Sequence, residues 1–214
     1  MLRNDVVFWG PRSDHNAALL SWGGSDGDFE TLWNHTQKRW GWITDALSIA
    51  GAPTPTGRVI EFGSGMGLLD DVLDASTTSL VMLDHTDGYI AQRPHPLSAR
   101  CRHLLWGPET LDELQRTEAG SFDWAMSIAV FYHLDTATAA ALIRELAVLL
   151  APGGHVLVEG WNPATPEQVR ALSSRDRLFS MYPNYPLDVD LLSAALAPEL
   201  EERCRNGVLL YRKH

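Results

Sequence analysis

The stretch Arg58-Val59-Ile60-Glu61-Phe62-Gly63-Ser64-Gly65-Met66-Gly67 constrains this chain more than any other. An apolar, strand-like run ends in an acid, three glycines follow at alternate positions, and a helix-like segment runs from Leu68 to Ala75. Glycine lacks a Cβ and reaches positive φ easily, so a ligand can lie against bare backbone there. A strand, a glycine turn and a helix N-terminus in succession make a cofactor site of the nucleotide-binding kind. A plain tight turn would not call for three alternate glycines, each of which costs backbone entropy on folding. The spacing also departs from the dinucleotide pattern G-x-G-x-x-G, because Leu68 stands where its third glycine would fall.

Beyond the turn the chain alternates. Strands are expected near 58–62, 79–84, 101–106, 122–128, 154–160, 199–205 and 207–213, and helices near 67–75, 87–92, 109–117, 135–151 and 187–196. Such alternation predicts an α/β fold: a doubly wound, mostly parallel seven-stranded sheet with helices on both faces. Asn206-Gly207 between the last two strands is a hairpin signal, so the last strand is expected to be antiparallel. Residues 1–57 form a separate N-terminal helical cap in this reading, and 58–214 the cofactor-binding core. The cap holds Trp9, Trp22, Trp33, Trp40 and Trp42, with one or two helices expected over Phe29–Ile49, and ends in a Pro- and Gly-punctuated linker. The segment 161–186 carries four prolines and is too long for an ordinary connection, so a lid or small helical insertion is expected there.

Composition narrows the partners. A length of 214 residues fits one elaborated domain. The net charge of −10, with no basic run beyond two residues, argues against nucleic acid. No apolar stretch is long enough for a membrane span, and the first ten residues do not read as a signal peptide. Cys101 and Cys204 form no pair, and the histidines show no metal spacing, so reduced thiols, no metal and a cytoplasmic location are expected. The oligomeric state stays open.

A second acid, Asp84, ends the apolar run Leu80-Val81-Met82-Leu83, about twenty residues past the glycines, where a carboxylate can accept both ribose hydroxyls. With Phe122-Asp123-Trp124-Ala125-Met126-Ser127 and Leu150-Ala151-Pro152-Gly153-Gly154, the order and spacing of these motifs resemble the class I S-adenosylmethionine-dependent methyltransferases. The resemblance covers residues 58–160, and the terminal hairpin extends it to 214. It implies S-adenosylmethionine as cofactor, with Glu61, Gly63, Ser64, Gly65 and Gly67 around its methionine part. Asp84 would hold the ribose, with His85 beside the adenine, Trp106 and Gly107 near it, and Ser127 and Ala129 flanking the cofactor. One departure stands out: Pro108 occupies the position at which many members carry an adenine-binding Asp. Members often cover the cofactor with an N-terminal helix, which makes Arg39 and Trp40 candidates for its carboxylate.

Methyl transfer needs a nucleophile in line with the S–CH₃ bond and needs water kept out. A base is required only where the nucleophile must lose a proton. Tyr132 and His133, just after the fourth strand, are the catalytic candidates, and an unperturbed imidazole suits a general base. Glu159, Trp161, Tyr182 and Tyr185 are the candidates for shaping the substrate site. The expected activity is methyl transfer to an oxygen or nitrogen of a small-molecule metabolite. The alternatives are a protein or peptide carboxylate or amine methyltransferase, and a non-catalytic cofactor-binding protein. A nicotinamide-dependent oxidoreductase lacks its glycine pattern here.

Overall fold

A computed structural model describes residues 29–161, 185–205 and 207–214. The elements in chain order are α1 (Phe29–Ile49), β1 (Gly57–Phe62), α2 (Leu69–Val72), β2 (Thr77–Asp84), β3 (Cys101–Leu105), α3 (Pro108–Glu118), β4 (Phe122–Ile128), α4 (Thr136–Leu149), β5 (Leu150–Glu159), α5 (Val189–Leu196), β6 (Leu200–Arg205) and β7 (Leu209–Lys213). The seven strands form one sheet in the order β3-β2-β1-β4-β5-β7-β6. The first five run parallel, and β7 lies antiparallel to both β5 and β6. This is the doubly wound architecture expected from the alternation, with the antiparallel hairpin where Asn206-Gly207 placed it.

Each face of the sheet carries its own core. On one face α1 lays Ile43 and Leu47 against Val59, Leu80, Trp124, Met126 and Leu210. The Phe29–Ile49 stretch is a single helix, and its Trp40 packs beside this cluster while Trp42 faces outward, 63% exposed. On the other face α4 buries Ala139, Ala140, Leu142, Ile143, Leu146 and Ala147, with help from α3 and α5. Asp135 starts α4 by accepting a hydrogen bond from the Thr138 amide at 2.8 Å.

The strand order reverses between β1 and β4, which places a crevice at the carboxyl ends of those strands. Two of the sequence signatures lie at the opposite end. Asp123 accepts a hydrogen bond from the Arg58 amide at 2.8 Å and so ties the starts of β4 and β1 together. Strand β5 begins earlier than expected, at Leu150, and takes in the Pro152-Gly153-Gly154 turn. A Cβ on Gly154 would sit 2.9 Å from the Ala151 carbonyl and 3.1 Å from that of Asp123, so only glycine lets the strands meet there. Asp123 and Gly154 thus hold the far end of the sheet together.

Candidate active site

At the carboxyl edge, β1 delivers Glu61 and Phe62 into the glycine turn. Gly63, Gly65 and Gly67 all have positive φ, at 75°, 53° and 71°. A Cβ on Gly63 would lie 2.3 Å from a Val130 methyl, so conformation and space both demand glycine at that position. Asp84, 4% exposed at the end of β2, accepts from the Gly65 amide at 2.8 Å and, more weakly, from that of Thr86 at 3.3 Å. Its other neighbour is His85, whose Nδ1 lies 3.0 Å from Oδ1. The acid and the turn are therefore one unit.

Two arginines that sequence reading did not single out hold this unit in place. Arg93 donates to the carbonyls of Met66 and Gly67 at 3.2 and 3.1 Å. Arg100 donates to the carbonyls of Asp70, Leu73, Asp74 and Thr77, and to the Asp70 carboxylate at 3.2 Å. It thereby satisfies the carbonyls at the end of the four-residue α2. Burial pushes the Asp70 carboxyl up, but hydrogen bonds from the Ser98 hydroxyl and amide and from Arg100 outweigh it and leave it below its ordinary value.

Helix α1 closes the other side of the turn. Thr36, Arg39 and Trp40 line one cleft with Glu61, Ser64 and Ile128. Glu61 is 4% exposed, and its Oε2 and the Ser64 hydroxyl are buried with no hydrogen-bond partner among the described residues. Burial first, and the Asp84 charge second, hold the Glu61 carboxyl well above the usual carboxylate range. Arg39 approaches Glu159, at the end of β5, at 3.7 Å. Burial raises the Glu159 pKa, and Arg39 and the Ala129 amide offset part of the rise. Thr36 escaped notice in the sequence, although a polar residue four positions before Trp40 and seven before Ile43 interrupts an apolar stripe.

The third wall is made by the loops after β3, β4 and β5. Trp106 donates its amide to the Asp84 carbonyl at 2.6 Å and leans edge-on against Phe62, ring centres 4.6 Å apart. Gly107 caps α3 and Pro108 is its first residue, a position where the missing N–H costs nothing. Ser127 is buried and donates its hydroxyl to the Phe62 carbonyl at 3.0 Å, binding β4 to β1. Ala129 is the one described residue other than glycine with a left-handed φ, at 60°. Its amide donates to the Glu159 carbonyl at 2.9 Å, and the Tyr132 amide donates to that of Gly160 at 3.1 Å. The Tyr185 amide then donates to the Tyr132 carbonyl at 2.9 Å. Tyr132 and His133 sit in the single turn Phe131–His133, their rings 4.1 Å apart and edge-on. Trp161 follows β5 with its indole N–H buried and without a hydrogen-bond partner among the described residues.

The structure thus brings the glycine turn, Asp84, His85, Trp106, Ala129, Glu159 and the Tyr132-His133 turn to one edge of the sheet. Tyr182 lies outside the described residues. Among the described residues no cluster of three or more His, Cys, Asp or Glu side chains is set to hold a metal, and no helix is long and apolar enough to cross a membrane.

A family model described as a methyltransferase domain matches residues 32–190. The chain is 23% identical over 163 residues to the ubiquinone biosynthesis O-methyltransferase of Albidiferax ferrireducens, covering 76% of this chain and 62% of that protein. It is 24% identical over 169 residues to the protein of the same name from Dechloromonas aromatica, covering 76% and 67%. The chain therefore spans about three fifths to two thirds of the length of these curated relatives. Among solved structures, magnesium protoporphyrin IX methyltransferase from Synechocystis PCC 6803 with bound SAH superposes with a TM-score of 0.62 at 15% identity, over 99% of this chain and 100% of that one. Phosphoethanolamine N-methyltransferase 1 of Haemonchus contortus gives a TM-score of 0.63 at 15% identity, over 99% of this chain and 48% of that one. At these identities the structural likeness speaks for the fold.

Proposed function

We propose, for a chain that belongs to the methyltransferase domain family and has the class I fold, that it transfers the methyl group of S-adenosylmethionine to an oxygen or nitrogen of a small-molecule metabolite. The observation that carries this reading is the convergence at one sheet edge of an acid-locked glycine turn with the Tyr132-His133 turn. In this reading the residues fit the cofactor. Asp84 takes the ribose, the positive-φ glycines pass the methionine part, and Glu61, Ser64 and Arg39 meet its polar end. The sulfonium supplies an electrophilic methyl group, so the protein's own work is to orient the acceptor and exclude water.

Oxygen is the favoured acceptor, because the two curated relatives are named as O-methyltransferases; in this reading His133, in the turn after β4, would take the hydroxyl proton. Glu159, Trp161 and Tyr185, with Tyr182, would shape the acceptor pocket. The division into an N-terminal cap over residues 1–57 and a core over 58–214 belongs to the same proposal, with α1 as the part of the cap that meets the cofactor.

The test is methyl transfer from S-adenosylmethionine to a panel of phenols, catechols, small carboxylic acids and amines, alongside a peptide panel, read by mass spectrometry. A small molecule gaining one methyl group is the expected result. Methylation of peptides alone would overturn the small-molecule reading. Cofactor binding with no transfer to any acceptor would point to the non-catalytic alternative.

A further inference from the structure

Glu61 lines the cleft from the end of β1, within reach of the charge of Asp84. Asp84 faces it from β2, and Arg39 and Thr36 line the same cleft from α1. Glu159 lies beyond, on β5, with the Arg39 guanidinium 3.7 Å from it. His85 keeps to Asp84, at 3.0 Å. Glu61 itself is 4% exposed, and one of its carboxyl oxygens has no hydrogen-bond partner among the described residues. A carboxyl so placed is more stable with its proton on, because burial and a like charge both disfavour the anion. An ammonium group within about 4–6 Å reverses that preference. The amino-acid end of S-adenosylmethionine carries such a group.

Resting on the cofactor reading above, we propose that Glu61 is a positioning residue that gives up a proton as the cofactor's ammonium enters the cleft, so that capture and deprotonation are one event. The proton passes from the Glu61 carboxyl to solvent, and no bond other than that O–H is broken. The unpartnered oxygen becomes a charged acceptor only when its donor has arrived. Because the complex binds fewer protons than the free protein, affinity rises with pH across the range in which free Glu61 would hold its proton. The cleft thereby distinguishes ligands that carry the ammonium from those that share only the adenosine half.

The experiment is isothermal titration of the protein with S-adenosylhomocysteine at about pH 6, where an α-amino group is already protonated, in buffers of different ionisation enthalpy. The expected result is a heat that varies with the buffer and corresponds to release of up to about one proton per ligand. In Glu61→Gln the dependence should vanish. In the unaltered protein, 5′-methylthioadenosine, which lacks the amino-acid end, should bind without it. Binding of S-adenosylhomocysteine with no buffer dependence would overturn the proposal and leave the cofactor reading standing. A dependence that persists in Glu61→Gln, or that appears equally with 5′-methylthioadenosine, would overturn it too. No binding of S-adenosylhomocysteine at all would sink the cofactor reading and this proposal with it. If Glu61→Gln does not fold, the comparison of the two ligands on the unaltered protein still decides.

Discussion

Asp84 holds the backbone of Gly65, and in the proposed reading it also takes the ribose, which sets what its loss should do. Asp84→Ala removes a charged acceptor and slackens the turn that it locks. Hydrogen bonds to charged groups contribute about 1.5–3 kcal/mol, so affinity for S-adenosylhomocysteine should fall by roughly ten- to a hundredfold in calorimetry. An unchanged affinity would remove Asp84 from the site. His133→Ala tests the other wall. If His133 is the base, the rate should drop by about 10²–10⁴ with cofactor affinity held, and the acid limb of the pH–rate profile should disappear. The tight glycine turn could be read from spacing because it depends on local backbone geometry. Ala129 could be placed only by family resemblance, and its left-handed φ is invisible in the sequence. Gly160 passes so close to it that a Cβ there would lie 2.9 Å from the Ala129 Cα, which reserves position 160 for glycine.

Element α2 has only four residues, too few to persist on helix propensity alone. Arg100 supplies the missing stability from across the loop that follows β2, through its bonds to four carbonyls and to Asp70. Arg100→Met keeps the stem and loses the donors. It should cost about 2–3 kcal/mol and lower Tm by about 5–10 °C in a thermal melt, a protein of this length losing about 2–4 °C per kcal/mol. A shift below a degree would show that water replaces the guanidinium at no cost. The strands and the longer helices were legible because apolar runs and turn residues report local periodicity, whereas the helix expected near 87–92 is only the single turn Ile90–Gln92 and that expected near 67–75 shrinks to Leu69–Val72. Even Phe29–Ile49 announced itself, through Trp40 and Ile43 on one face. The arginine clamps were not legible, since their partners are carbonyls that every residue possesses. Likewise the motifs holding Asp123 and Gly154 marked the family, but that these residues fasten the far end of the sheet could be seen only in the fold.

At the scale of the whole molecule, two acids impose opposite pH dependences on stability. The Asp70 carboxyl lies below its unfolded value, so its contribution is present above about pH 4 and is lost as pH falls through the folded value. The Glu61 carboxyl lies well above its unfolded value, so the native state keeps a proton that the unfolded chain has released. Stability therefore declines as pH rises from about 4.3 through the folded value of Glu61. Glu61→Gln should match the unaltered protein near pH 4 and melt at progressively higher temperature than it as pH rises, a divergence that thermal melts between pH 4 and 8 would reveal. A constant difference across that range would mean that Glu61 is ionised in the fold throughout. The bonds joining Tyr132 to Gly160 on one side and to Tyr185 on the other have a consequence of a different kind. The Tyr132 backbone pins Gly160 and Tyr185 to the same short turn, so a substitution that unseats Phe131–His133 would release both segments at once, and the end of β5 would loosen together with the approach to α5.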